Sequence, residues 1–129
     1  MYINHVALWT DKLEELVDFY CTYFHAVAGS RYDNHDKGFS SYFLSFESGA
    51  RLELMSMPGI RPRFRSELEQ DGGFIHLAMS TGSKAAVDAL TERLISEGYI
   101  CLEAAHHTGD GYYESTVLDP DGNRIEITV

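Results

Sequence analysis

The sequence predicts an α+β domain: two tandem βαβββ modules forming a curved mixed sheet with helices on the outer face. Three observations carry that reading. Short segments alternate apolar and polar residues with period two, the mark of strands with one buried face. Two longer segments repeat apolar residues every three or four positions, the mark of helices packed along one stripe. The opening of the chain also recurs at its middle, where His5-Val-Ala-Leu-Trp-Thr10 is matched by His76-Leu-Ala-Met-Ser-Thr81, with His, Ala and Thr at the same offsets.

Taken in order, residues 2–9 form the first strand, with Val6 and Leu8 on one face and His5 and Ala7 on the other. Thr10-Asp11 offers a helix N-cap, and Asp11 with Glu14 has capping-box spacing. Leu13, Leu16, Val17, Tyr20, Tyr23 and Phe24 then predict a helix over 12–25 that stops before Gly29. Three strands follow, a weak one near 27–34 and stronger ones at 39–47 and 50–57, the last two joined by a turn at Ser48-Gly49. The third puts Leu52 and Leu54 on one face and Arg51 and Glu53 on the other.

Residues 58–72 break the pattern with Pro, Gly and charge and read as a linker between module one (1–57) and module two (73–129). Within it Arg61, Arg63 and Arg65 alternate in a polar stretch, suited to a solvated loop or to clamping a carboxylate or phosphate. The plan then repeats: a strand at 74–80 with Ile75, Leu77 and Met79 opposite His76, and a helix at 84–97 capped by Ser83 and closed by Gly98 at C′. Strands follow at 99–104, 112–118 and 123–129. His106 and His107 fall in the loop before Tyr112 and Tyr113, one of which faces inward by parity. Asp119-Pro-Asp-Gly-Asn123 is a turn, and the strand after it sets Arg124, Glu126 and Thr128 against Ile125, Ile127 and Val129.

Length and composition bound the function. At 129 residues the chain makes one domain without a covalent staple. With a net charge of −10 and ten basic residues scattered apart from Arg61, Arg63 and Arg65, nucleic-acid binding is not expected. Cys21 and Cys101 lack any paired-cysteine context and read as thiols in a reducing compartment. The start lacks a cleavable leader pattern and no apolar run reaches the roughly 20 residues of a membrane helix. A cytoplasmic protein without membrane partners is therefore expected.

Parity turns four residues to the side of the sheet away from the helices: His5 and His76 on the first strand of each module, Glu53 and Glu126 on the last. The separations agree, 48 residues from His5 to Glu53 and 50 from His76 to Glu126. A single strand histidine is most often a surface or hydrogen-bonded residue. Two in repeat-equivalent positions, each with its own carboxylate, suit a divalent ion in six-coordination, or zinc in four. Trp9 shares the His5 face and is placed to wall an apolar pocket.

The His5-Val-Ala-Leu opening, Phe19-Tyr20 on the first helix and the closing Asp119-Pro-Asp-Gly-Asn-Arg-Ile-Glu126 resemble the vicinal oxygen chelate superfamily, which groups glyoxalases, bleomycin-resistance proteins and dioxygenases, and within it the glyoxalase I (lactoylglutathione lyase) branch. The resemblance implies one divalent metal per site, Ni, Co or Zn with Mn or Mg as alternatives, held by His5, Glu53, His76 and Glu126. Its extradiol dioxygenases and fosfomycin-resistance transferases carry two His and one Glu, its methylmalonyl-CoA epimerase has Gln at the place of Glu53, and its bleomycin-resistance proteins lack the metal set. What it implies is a lyase that shifts a proton between adjacent carbons of the hemithioacetal of an α-oxoaldehyde and a thiol. Catalysis would fall to Glu126 and Glu53, with Glu126 preferred as base, in a homodimer acting on a small-molecule thiol adduct. The alternatives are a small-molecule-binding protein of the same fold, or an epimerase or dioxygenase acting on another substrate.

Overall fold

The computed structural model describes residues 1–61, 66, 69–70 and 72–129, so the expectations for Arg63 and Arg65 lie outside the described residues. Arg61 is exposed. The chain divides into two compact units, Met1–Phe64 and Arg65–Val129. Each holds its own sheet.

In the first unit β1 (His5–Trp9) leads to α1 (Leu13–Phe24), followed by β2 (Val27–Ala28), β3 (Tyr32–Asn34), β4 (Phe39–Ser45) and β5 (Arg51–Ser56). β1 and β5 are parallel neighbours, β4 lies antiparallel beside β5, and β2 and β3 both pair with β4. The weak strand expected at 27–34 is split. Ala28 pairs with Leu44 but Tyr32 pairs with Ser41, so three residues oppose two, a bulge-type shift that hides the alternation. The apolar stripe of α1, with Leu16, Phe19 and Tyr20 at most 2% exposed, packs on the sheet face that carries the buried Leu44, Leu52 and Leu54. Phe19 meets Tyr20 edge to face at 5.3 Å and lies against Tyr23 at 5.2 Å. Each such ring contributes about 1.5–3 kcal/mol by its removal from water.

The start of α1 departs from the expected capping box. The N-cap is Lys12, without a side-chain cap, and Thr10 Oγ1 accepts the Lys12 N–H at 2.8 Å just ahead of it. Glu14 does not turn back to Asp11 because a stronger donor holds it: Arg31 Nη1 lies 2.6 Å from its Oε1, and the Tyr42 hydroxyl donates to the same carboxylate at 3.2 Å. A charge-assisted bond to guanidinium outcompetes a neutral backbone N–H.

In the second unit β6 (His76–Ser80) leads to α2 (Lys84–Ser96), then β7 (Cys101–His107), β8 (Tyr113–Leu118) and β9 (Arg124–Thr128), in sheet order β6-β9-β8-β7. The caps of α2 follow the sequence reading. Ser83 Oγ accepts the Ala86 N–H at 3.2 Å, and at the other end Gly98 N–H reaches Ile95 O and Tyr99 N–H reaches Leu94 O. That double bond pattern needs a left-handed C′ residue, which Gly98 supplies at φ +93°. Val87 and Leu94, fully buried, share a core with Val117, Ile125 and Ile127.

One buried polar link ties this helix to its sheet, Thr91 Oγ1 to Ser115 Oγ at 2.6 Å, with Thr91 also donating to Val87 O. Thr91→Val removes one partner of the hydroxyl pair and leaves the Ser115 hydroxyl orphaned. We expect a loss of about 1–3 kcal/mol in chemical denaturation, with the double variant Thr91→Val, Ser115→Ala recovering part of it.

β7 runs three residues past its expected end. His106 and His107 close this strand instead of occupying a loop. Two register shifts against β8, between Cys101 and Glu103 and between Glu103 and His106, break the period-two signal there. Tyr113 is the inward member of its pair, its hydroxyl donating to Asp88 of α2 at 2.7 Å. No helix among the described residues is long and apolar enough to cross a membrane.

Candidate metal and catalytic site

The two sheets position their His and Glu side chains by the same register. In the first unit Ala7 of β1 lies opposite Glu53 of β5, and His5 sits two residues back on the same face. In the second, Ala78 of β6 lies opposite Glu126 of β9, with His76 two residues back. Both imidazoles thus stand diagonally across a parallel strand pair from their carboxylates. The alternation is visible in burial, since Leu52 and Leu54 on either side of Glu53, and Ile125 and Ile127 on either side of Glu126, are buried while the four polar residues are not.

The resulting pairs are close. His5 Nε2 lies 3.8 Å from Glu53 Oε2, and His76 Nδ1 lies 3.0 Å from Glu126 Oε1. Two donors sharing one ion at about 2.1 Å sit roughly 3.0 Å apart at a right angle and roughly 3.4 Å apart at a tetrahedral one. The His76–Glu126 spacing falls at the lower end of that range and the His5–Glu53 spacing lies about 0.4 Å above it, so the donor chemistry of both pairs suits a divalent ion and the second pair already has the required separation. Among the described residues no group of three or more His, Cys, Asp and Glu is gathered; the donors stand as pairs.

His5 is further oriented. Its Nδ1 is 2.9 Å from Asn4 Oδ1, and that same oxygen accepts Arg51 Nη2 at 2.8 Å. With Nδ1 donating to Asn4, the lone pair is on Nε2, directed toward the Glu53 side, the outer-shell arrangement that metal-binding histidines require. The Phe43 ring braces the imidazole edge to face at 5.3 Å, and the Arg51 guanidinium lies 4.3 Å over that ring.

Glu126 has a perturbed carboxyl. Burial pushes its pKa above the ordinary range, the neighbouring His76 pulls it down, and the carboxylates of Glu114, Glu103 and Asp110 push it up again. The register explains the crowding: Thr116 lies opposite Glu126, Glu103 opposite Thr116, and Glu114 opposite Thr128, all on one face. His106 pairs with Glu114 and belongs to that face too, its Nδ1 beside Ala104 O at 2.9 Å. His107 belongs to the helix face, where Lys84 Nζ lies 2.8 Å from its Nε2.

The turn ahead of β9 sets the height of Glu126. Asp119, 4% exposed, accepts the N–H groups of Asp121 and Asn123 on Oδ1 at 3.0 and 2.8 Å and the Asn123 side-chain amide on Oδ2 at 2.9 Å. Gly122 closes the turn at φ +78°.

A second polar cluster escaped the sequence reading. Arg31 bonds Glu14, Asp33 and Ser40, beside an open cleft of about 290 Å³ lined by Lys12, Leu13, Arg31, Ser40 and Ser56 among others. Hydrogen bonds from Ser40 and then Arg31 hold the Asp33 carboxyl below its usual range. The cleft does not include the His5–Glu53 pair, and the charges of Arg31, Glu14 and Asp33 satisfy one another, so this cluster clamps α1 to β3 and β4. Only Arg31 itself, seventeen residues from Glu14, signals it in the sequence.

Comparison with known proteins bears on this geometry. The family model of the Glyoxalase/Bleomycin resistance protein/Dioxygenase superfamily matches residues 2–127. The chain belongs to this superfamily. An uncharacterized protein of Bacillus subtilis (strain 168), YqjT, is 27% identical over 129 residues, spanning 97% of this chain and 96% of that protein. Among solved structures, a glyoxylase/bleomycin resistance protein/dioxygenase domain from Frankia sp. EAN1pec superposes with a TM-score of 0.81 at 20% identity, covering 100% of this chain and 97% of that one. The glyoxalase I of Leishmania major, described as trypanothione-dependent, gives 0.75 at 19% identity over 99% and 86% of the two chains. Glyoxalase I of Zea mays gives 0.76 at 19% identity, covering 98% of this chain and 44% of that longer one. These likenesses establish the two-module superfamily fold.

Proposed function

We propose that this member of the superfamily is a divalent-metal-dependent lyase of the glyoxalase I type. In this reading His5, Glu53, His76 and Glu126 together hold one ion, drawn from one chain or from two copies in a homodimer, and the substrate is the hemithioacetal of an α-oxoaldehyde and a thiol. The observation that carries the proposal is the repeated register: two His–Glu pairs, each diagonal across a parallel strand pair, at donor separations of 3.0 and 3.8 Å. The bound ion, Ni, Co or Zn by donor type, with Mn or Mg as alternatives, supplies Lewis acidity toward the substrate oxygens.

The chain's own groups do the rest. Glu126 takes the proton from the carbon bearing the thiol and returns it to its neighbour, a role supported by the desolvation that makes this carboxylate a stronger base than a solvated one. Glu53, 14% exposed in its side chain and opposite Phe43 in the strand register, completes the donor set. Asn4 and Phe43 keep the His5 ring in place.

The test begins with metal. Protein purified without a tag, stripped and then soaked separately in Ni, Co and Zn, should retain close to one equivalent per site by elemental analysis. His5→Ala and His76→Ala should each weaken retention at least tenfold by competition with a chelator. Less than a tenth of an equivalent of every ion would rule the proposal out. A screen of α-oxoaldehydes against several thiols, followed by product formation, then assigns the thiol.

A further inference from the structure

We propose that the row of site-facing residues next to the His5–Glu53 pair, Trp9, Phe39 and Tyr32 over Ser41 and Met55, seats a flat aromatic group of the substrate. This rests on the lyase reading of the same sheet face and narrows its substrate to oxo-compounds with an aromatic ring close to the reacting carbon.

The register builds the row. Trp9 lies opposite Met55, Met55 opposite Ser41, and Ser41 opposite Tyr32, so all four project from the face that carries His5 and Glu53. Phe39 joins them from the same strand face as Ser41, meeting Trp9 edge to face at 6.1 Å and Tyr32 at 6.1 Å. None of the five is charged. Trp9 remains 41% exposed and Tyr32 56%, while Ser41 is buried between them.

The fold does not demand Trp9 and Tyr32, and the second unit shows it. The equivalent positions on β6, β9, β8 and β7 are Ser80, Thr128, Glu114 and His106, with the same pairings: Ser80 with Thr128, Thr128 with Glu114, Glu114 with His106. Phe39, two residues before Ser41, corresponds to Tyr112, two before Glu114, so what distinguishes the first unit is Trp9 and Tyr32, where the second has Ser80 and His106. Large rings left open to water beside the reacting pair are a binding surface more readily than a structural need.

The spacing sets what fits. Glu53 and Met55 are two residues apart on β5, about 6.6 Å along the strand. A ring that reaches the Trp9 row while its oxygens remain at the His5–Glu53 pair must be attached directly to the oxo-carbon or through one further atom. A longer spacer would overshoot the row.

A chelating probe separates this inference from the reading beneath it. Metal-loaded protein is titrated by calorimetry with benzohydroxamate and acetohydroxamate, which offer the same two oxygens and differ by the ring. Trp9 is the only tryptophan of the chain, so its fluorescence reports the same titration locally. Benzohydroxamate should bind at least tenfold tighter and should change the Trp9 emission, as removal of a ring from water predicts. Trp9→Ser, which installs the residue found at the equivalent place in the second unit, should reduce that ratio to threefold or less, and Tyr32→Ser should reduce it by a smaller factor. Equal affinities in the unsubstituted protein, or a tenfold preference that survives both substitutions, would overturn the aromatic seat while leaving the metal site standing. If neither hydroxamate binds, the metal reading fails and the seat with it.

Discussion

Glu126→Gln should lower turnover of the preferred hemithioacetal by about 10²–10⁴, the usual worth of a positioned general base. The isosteric amide keeps the shape of β9 and one donor oxygen but cannot carry a proton between carbons. A second measurement separates lost chemistry from a damaged fold. Because burial and the carboxylates of Glu114, Glu103 and Asp110 together raise the Glu126 pKa in the folded state, the metal-free fold binds that proton more tightly than the unfolded chain does. Stability contributed by this group therefore falls as pH rises from the unfolded value toward the folded one, and the penalty is fully present above the folded value. Metal-free Glu126→Gln escapes it. By thermal denaturation it should be at least as stable as the unsubstituted protein at neutral pH, with the difference vanishing as pH falls below the unfolded carboxylate range. Full activity in the variant would remove Glu126 from the role of base. A large loss of stability at neutral pH would mean that the carboxylate serves the fold.

The residues behind that prediction were legible in the sequence because strand parity is a local property. His5, Glu53, His76 and Glu126 are each flanked by residues that must face a helix, so their own direction follows from their neighbours. The caps of α2 were legible for the same reason, since Ser83 and Gly98 act within one helical turn. What escaped depends on contacts between distant segments. Glu14 is held by Arg31 and Tyr42 instead of turning back toward Asp11, contacts that no window around residue 12 contains. The shifts in β7 scramble the period around His106 and His107, so the sequence there suggests a loop, and the split of residues 27–34 into β2 and β3 is hidden by the same kind of shift. Trp9 was assigned to the His5 face, but its company could not be: Tyr32 reaches that row only through the bulged pairing with β4.

The second large effect is expected at the closing turn. Asp119→Ala deletes a buried carboxylate that accepts two backbone N–H groups and the Asn123 amide, and leaves those donors without their partner. Hydrogen bonds to a charged acceptor contribute about 1.5–3 kcal/mol each and are not additive, so a total loss of about 2–4 kcal/mol is the expected scale. For a chain of this size that lowers the melting temperature by roughly 8–15 °C. Asp119→Asn should lose less, because its carbonyl oxygen still serves the Asp121 and Asn123 N–H groups while its amide opposes the Asn123 amide. The turn also sets the register in which β9 enters the sheet, with Arg124 opposite both His76 and Leu118. If Asp119 holds that register, metal affinity in Asp119→Ala should fall with stability, although residue 119 is no ligand. Unchanged metal retention in a destabilised Asp119→Ala protein would show instead that the parallel ladder between β6 and β9, with Ala78 opposite Glu126, fixes the register and places Glu126 without help from the turn.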